Sequence, residues 1–153
     1  MITTLQNQQG QLLQLPQLQK LADWLARQIE DRMEESWSEV CIVLVDDEGI
    51  TKTNREYFEK DRPTDVISFR YDPVPGEDEA FSGDLIINVD RAIQVGLDHE
   101  GINYELALYM AHGFDHLTGS EDDTPEKKEA MLETEMAWLE EARKEGLVEA
   151  LFC

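Results

Sequence analysis

The stretch HGFDHLTGSED, residues 112–122, puts two histidines, a glycine and a carboxylate at spacings that suit a metal ion. His112 and His116 are four residues apart, and on a helix such residues are neighbours, with about 5–6 Å between Cβ atoms. Two imidazoles so placed can face one ion without straining the backbone. Gly119 follows where the helical pattern ends, and a glycine there can reverse the chain. The reversal brings Asp122 back as a third ligand. Two histidines and a carboxylate leave a fourth position open, the arrangement of a catalytic rather than a structural zinc site. Zinc can bring the pKa of its water to about 7. One divalent ion, with zinc as the best fit, is therefore expected on His112, His116 and Asp122.

A lone H-x-x-x-H pair carries little weight, because core or surface histidines explain it as readily. The helix-ending glycine and a ligand residue beyond it make the pattern far more specific. It parallels the metzincin motif H-E-x-x-H-x-x-G-x-x-H. Here the residue after the first histidine is Gly113, so the glutamate base of a zinc peptidase is absent. Asp115 precedes His116, but successive helix positions are rotated by about 100°. It reads as a solvated or capping carboxylate.

The elements that must position these residues follow from periodicity. The glutamine-rich opening QNQQGQLLQLPQLQ alternates leucine with polar residues, as an edge strand does. Pro16 then opens a helix over residues 16–32, with Leu18, Leu21, Leu25 and Ile29 on one face. VCIVLV, residues 40–45, has the pattern of a strand buried on both faces. Asp46 and Asp47 cap a helix running to Phe58. Residues 60–65 form a polar turn, 66–71 a strand, 72–82 an acidic mobile loop and 83–90 another strand. A short helix from Arg91 ends at a glycine, and an asparagine-capped helix over 103–117 is apolar on most sides, so it is central. Thr124-Pro125 opens the last helix, with Leu132, Met136 and Leu139 expected on its core face. Trp24 and Trp138 read as core anchors or half-buried residues. The sum is one α+β domain over residues 1–153: a small mixed sheet of about four strands packed with about five helices.

Charge narrows the partners. Thirteen Lys and Arg against 34 Asp and Glu give a net charge of −21, without the global basic footprint of a protein that grips phosphate backbones. A solvated acidic surface accounts for this; a basic partner protein is the sharper alternative. No apolar run reaches the length of a membrane span, the opening residues lack a signal-peptide pattern, and Cys41 and Cys153 make no disulfide framework. A cytoplasmic protein with no membrane association is expected.

The stretch from Val43 to Met136 also resembles the YbeY family of bacterial ribosomal-RNA maturation endoribonucleases, whose hallmark is H-G-x-x-H-x-x-G-x-x-H. VLVDDEGI at 43–50, NREY at 54–57, KDRPTDVISF at 60–69 and GDLIINVDRA at 83–92 are similar to family blocks, in the family order. The resemblance implies a small mixed sheet with the metal site facing a cleft. It implies metal-dependent cleavage of single-stranded RNA in small-subunit rRNA maturation and ribosome quality control. The partners implied are ribosomal RNA and ribosomal or ribosome-associated proteins.

Two positions depart from the family pattern. Its third metal histidine falls on Asp122, a harder ligand that widens the choice toward manganese or iron. Its arginine after the tyrosine of N-R-x-Y falls on Phe58, which reads as a packing residue, with base stacking as the alternative. Arg62 is the candidate catalytic replacement, with Arg55 on the other side and Arg70 a further phosphate contact; the three are expected to form a positive lip. The rival readings are a ribosome-assembly factor with a structural metal, which Phe58, Asp122 and the charge favour, and a general metallohydrolase, which Gly113 opposes.

Overall fold

The computed structural model describes residues 1–77 and 79–153. Four strands, β1 (Ile2–Gln8), β2 (Trp37–Val45), β3 (Val66–Tyr71) and β4 (Phe81–Asn88), form one sheet in the order β1-β2-β4-β3. β1, β2 and β4 run parallel, and β3 runs antiparallel to β4, pairing from Val66 opposite Ile87 to Tyr71 opposite Ser82. Parallel neighbours need a crossover, and α1 (Leu15–Arg32) supplies it between β1 and β2. The other described helices are α2 (Asp47–Phe58), α3 (Val89–Gly96), α4 (Ile102–Leu117) and α5 (Pro125–Lys144). The mixed α+β architecture matches the sequence reading in type and number of elements.

Side chains alternate across a strand, and the two faces of this sheet differ. Val40, Ile42 and Leu44 of β2, with Leu85 and Ile87 of β4, pack into the main core with α1, α3, α4 and α5. Val43, Val45, Ile67, Phe69 and Ile86 turn to the opposite face, where Ile50 of α2 covers only part of them. β2 is therefore not buried on both faces: Cys41 and Val43 keep partial exposure. α4 lies on the main core, with Phe114, Leu106, Met110 and Leu117 fully buried. No helix among the described residues is long and apolar enough to cross a membrane.

Several boundaries depart from the periodicity. The first strand, Ile2–Gln8, takes in only the opening Gln6-Asn7-Gln8 of the glutamine-leucine tract, whose Leu13 instead bridges Phe152 near the other terminus. β4 starts at Phe81 and stops at Asn88, because the Asn88 side chain accepts from the Arg91 N–H at 3.2 Å and caps α3. α4 begins after Gly101 rather than at an asparagine cap; the Asn103 side-chain Oδ1 accepts from the Leu151 amide at 2.8 Å. α5 is rotated from its expected face. Met131, Glu135, Leu139 and Ala142 are buried, whereas Leu132 and Met136 are 43% and 47% exposed. The expected acidic loop contains Asp78, which lies outside the described residues.

Candidate metal centre

The last turns of α4 and the turn after it build the centre. His112 and His116 sit edge to face, ring centroids 4.5 Å apart, with their Nε2 atoms separated by 3.0 Å. The amides of Thr118 and Gly119 close the helix on the carbonyls of Asp115 and His116, at 3.1 and 3.0 Å. Gly119 then takes φ +91°, a conformation that strains any residue with a Cβ. The reversal carries Asp122 back, and its Oδ2 stands 3.6 Å from His116 Nε2 and 3.8 Å from His112 Nε2. The three ligand atoms lie within 4.8 Å of one another. Ligand atoms about 2.0–2.2 Å from a tetrahedral zinc stand roughly 3.3–3.6 Å apart, close to these separations.

The outer nitrogens explain why the inner ones face each other. His112 Nδ1 meets both carboxylate oxygens of Glu135 at 3.0 Å. His116 Nδ1 lies 3.1 Å from the Ser120 carbonyl oxygen, which can only accept. With each Nδ1–H donating outward, both Nε2 atoms hold lone pairs. Two lone pairs at 3.0 Å repel unless a cation or proton lies between them. The site thus fits a divalent ion in distances and in tautomers.

Glu135 was not singled out by the sequence. It is 1% exposed, on α5, and burial pushes its carboxyl up to about 7, although the His112 bond pulls the other way. Burial works against a charged His112, yet the Glu135 bond and charge, with Asp65 and Asp122 behind it, raise its pKa overall. A legible signal did exist. Met131, Glu135, Leu139 and Ala142 form one helical stripe, and a carboxylate within an apolar stripe needs a buried partner.

Asp115 is the clearest correction. It is fully buried rather than solvated, and its Oδ1 accepts from Arg32 Nη1 of α1 at 3.1 Å. Gly113 has a packing reason: a Cβ there would come within 3.1 Å of both Leu85 methyl carbons. It keeps α4 close to β4, and no carboxylate follows His112 to act as a base.

A cavity of about 700 Å³ opens beside the centre, lined by His116 and Asp122 and by Phe58, Lys60, Arg62 and Arg70. Arg62 and Arg70 therefore share the cavity with the ligands. Arg55 does not: its guanidinium is bound to Asp61 at 2.6 and 3.0 Å and it lines a separate depression with Asp47 and Glu48. The positive lip is made by Lys60, Arg62 and Arg70 instead. Phe58 is 47% exposed, so it is not a core residue. His99 lies outside the centre, 3.6 Å from Glu105. Trp24 is buried as expected, with its Nε1–H donating to Glu145 at 2.6 Å, and Trp138 is partly buried.

Comparison with known proteins agrees with this arrangement. A family model described as Endoribonuclease YbeY matches residues 4–143. Endoribonuclease YbeY of Anaeromyxobacter dehalogenans is 41% identical over 114 residues, which cover 74% of this chain and 57% of that protein. Endoribonuclease YbeY of Brevibacillus brevis is 37% identical over 72% of this chain and 78% of its own length. The chain thus spans little more than half of the first relative and over three quarters of the second. The solution structure of TM1509 from Thermotoga maritima shares the fold, with a TM-score of 0.60 at 23% identity, covering 96% of this chain and 95% of that one. A family match over nearly the whole chain, with the triad and its supporting turn in place, makes this protein a member of the YbeY family.

Proposed function

We propose that this protein is a metal-dependent endoribonuclease that cleaves single-stranded RNA, with zinc as its ion. By the family resemblance, its place is in small-subunit rRNA maturation and ribosome quality control in the cytoplasm, among ribosomal RNA and ribosome-associated proteins. One observation carries the reading. The cavity that exposes His116 and Asp122 is lined by three cations, Lys60, Arg62 and Arg70, and by one carboxylate, Asp122 itself. On a chain with 34 acids and 13 bases, that local inversion of charge points to a phosphate ligand.

His112, His116 and Asp122 hold the ion, and Glu135 fixes the orientation and tautomer of His112. A bound zinc supplies Lewis acidity at a phosphoryl oxygen and acidifies water. Arg62 offers a planar guanidinium to the non-bridging phosphate oxygens, the catalytic role assigned to it here, and Arg70 extends the grip along the strand. An arginine so placed stabilises charge that builds on the phosphoryl group as the bond to the leaving oxygen lengthens. The peptidase alternative fails for want of a base beside His112, where Gly113 is packed against Leu85.

The test is cleavage of a single-stranded RNA by zinc-reconstituted protein, with His112→Ala, His116→Ala and Arg62→Ala alongside and metal content measured after dialysis. Both histidine variants should lose zinc and activity. Arg62→Ala should keep zinc and lose about 10²-fold or more in rate. Intact RNA with fully metallated wild type would reject the nuclease and leave the assembly factor.

A further inference from the structure

Beside the cations, the same cavity is lined by Phe58, one ring of an aromatic cluster that metal binding and phosphate contact leave unused. α2 ends at Phe58, and Glu59 turns the chain away with φ +57°. The Phe58 ring lies parallel to Phe69 of β3, interplanar angle 10° and centroids 6.1 Å apart. Tyr57 leans on the same Phe69 ring at 5.0 Å. Phe69 is the partly buried floor; Phe58 and Tyr57 are 47% and 65% exposed. One face of Phe58 is turned to Phe69, nearly half of the residue is exposed, and Phe58 lines the cavity that holds His116 and Asp122.

The surroundings select the occupant. An apolar peptide side chain would call for an apolar rim, but Lys60, Arg62 and Arg70 line the cavity around Phe58. Cations that track a backbone beside an exposed aromatic face are the two components of a single-strand nucleic-acid site. A duplex has no free base face to offer; an unpaired nucleotide does. The geometry points to Phe58, backed by Phe69, as the stacking site for one base of the single-stranded RNA, beside the phosphate held over the metal ligands. The inference rests on the nuclease reading above and adds to it the ring that receives one unpaired base of the strand. The preference should favour purines over pyrimidines through the larger ring, with no hydrogen-bond code.

The experiment uses the full chain loaded with zinc and a short single-stranded RNA carrying 2-aminopurine at each position in turn. Binding is read at 4 °C by fluorescence, beside Phe58→Leu and Phe58→Trp. Leucine keeps an apolar contact with Phe69, and a thermal melt of each variant confirms its fold. At one position the wild type and Phe58→Trp should quench the fluorophore. Phe58→Leu should leave it bright and bind roughly tenfold more weakly. Placing an abasic residue at that position should cost the wild type a similar factor and Phe58→Leu almost nothing. A wild type that binds and cuts RNA while Phe58→Leu binds as well, or with no position quenched, overturns the stacking site and leaves the nuclease standing. A wild type that neither binds nor cuts single-stranded RNA overturns both.

Discussion

Glu135 of α5 presents both carboxylate oxygens to Nδ1 of His112 at 3.0 Å, from a site where the carboxylate is 1% exposed. The contact joins two helices and sets the outer end of a candidate metal ligand, so the last helix helps to build the candidate centre. A carboxylate behind a ligating imidazole makes the imidazole a better donor and holds its ring in place.

Glu135→Ala should therefore weaken zinc binding by about 10–100-fold, a typical cost of losing such a partner. Glu135→Gln keeps an acceptor for Nδ1–H and should fall between it and the wild type. Chelator competition on folded protein measures both. Equal zinc affinity in all three proteins would remove Glu135 from the centre.

On α4, the Asp115 carboxylate is buried and its Oδ2 lacks a protein partner, while Oδ1 takes its bond from Arg32. Breaking a buried pair by removing one partner typically costs about 3–5 kcal/mol. The Arg32 side chain is 43% exposed, so water offsets part of this, and Arg32→Ala should cost about 2 kcal/mol. Asp115→Leu removes the buried charge itself and should be within about 1 kcal/mol of the wild type, or more stable. Urea denaturation decides it, and the opposite order would mean that the pair itself holds α1 to α4.

What the sequence carries for these residues differs for a physical reason. The three ligands lie within one helix and the turn after it, so the 3.6-residue period and one glycine expose them in the sequence. β3 was legible to the residue because VISFRY is bounded by a polar turn and a Pro-Gly loop. Glu135 and Asp115 depend on which helices meet, and neither helix encodes its neighbour. The α5 face was misplaced by one position for the same reason: Leu132 and Met136 satisfy the hydrophobic pattern, but the helix turns Met131 and Glu135 inward toward α4. Arg55 fits the phosphate pattern by type, and only the structure shows Asp61 holding it away.

On β3, partial burial of its hydroxyl and the hydrogen bond it donates to Asp84 Oδ2 at 2.8 Å push Tyr71 up to about 12. A raised pKa means that the folded state holds the proton more tightly than the unfolded chain. The resulting stability is complete below about pH 10, the unfolded value, and is lost as pH rises through 10 toward 12. Ultraviolet titration should show a step near pH 12 that is lost in Tyr71→Phe and moves earlier in Asp84→Asn, while the partly buried Tyr104 and the buried Tyr109 ionise late in all three proteins. The stability of Tyr71→Phe should fall less steeply between pH 10 and 12. A full complement of tyrosines ionising together near pH 10 would contradict the assignment.

Asp122 puts a charged carboxylate in a place where a third imidazole would be neutral. With zinc bound, the set His112, His116 and Asp122 would leave the centre one unit less positive than three histidines would. A less positive centre attracts a phosphodiester less, and in a cavity with three cations the difference matters most at low salt. Asp122→His should keep zinc, bind single-stranded RNA several-fold tighter with a steeper salt dependence, and cut it faster near neutral pH. Asp122→Ala should lose zinc affinity because two ligands remain. Metal content is measured first, so that affinity and rate are compared only between loaded proteins. If loaded Asp122→His binds RNA no tighter at any salt concentration, the charge of the third ligand does not govern phosphate capture. Lys60, Arg62 and Arg70 would then set it alone.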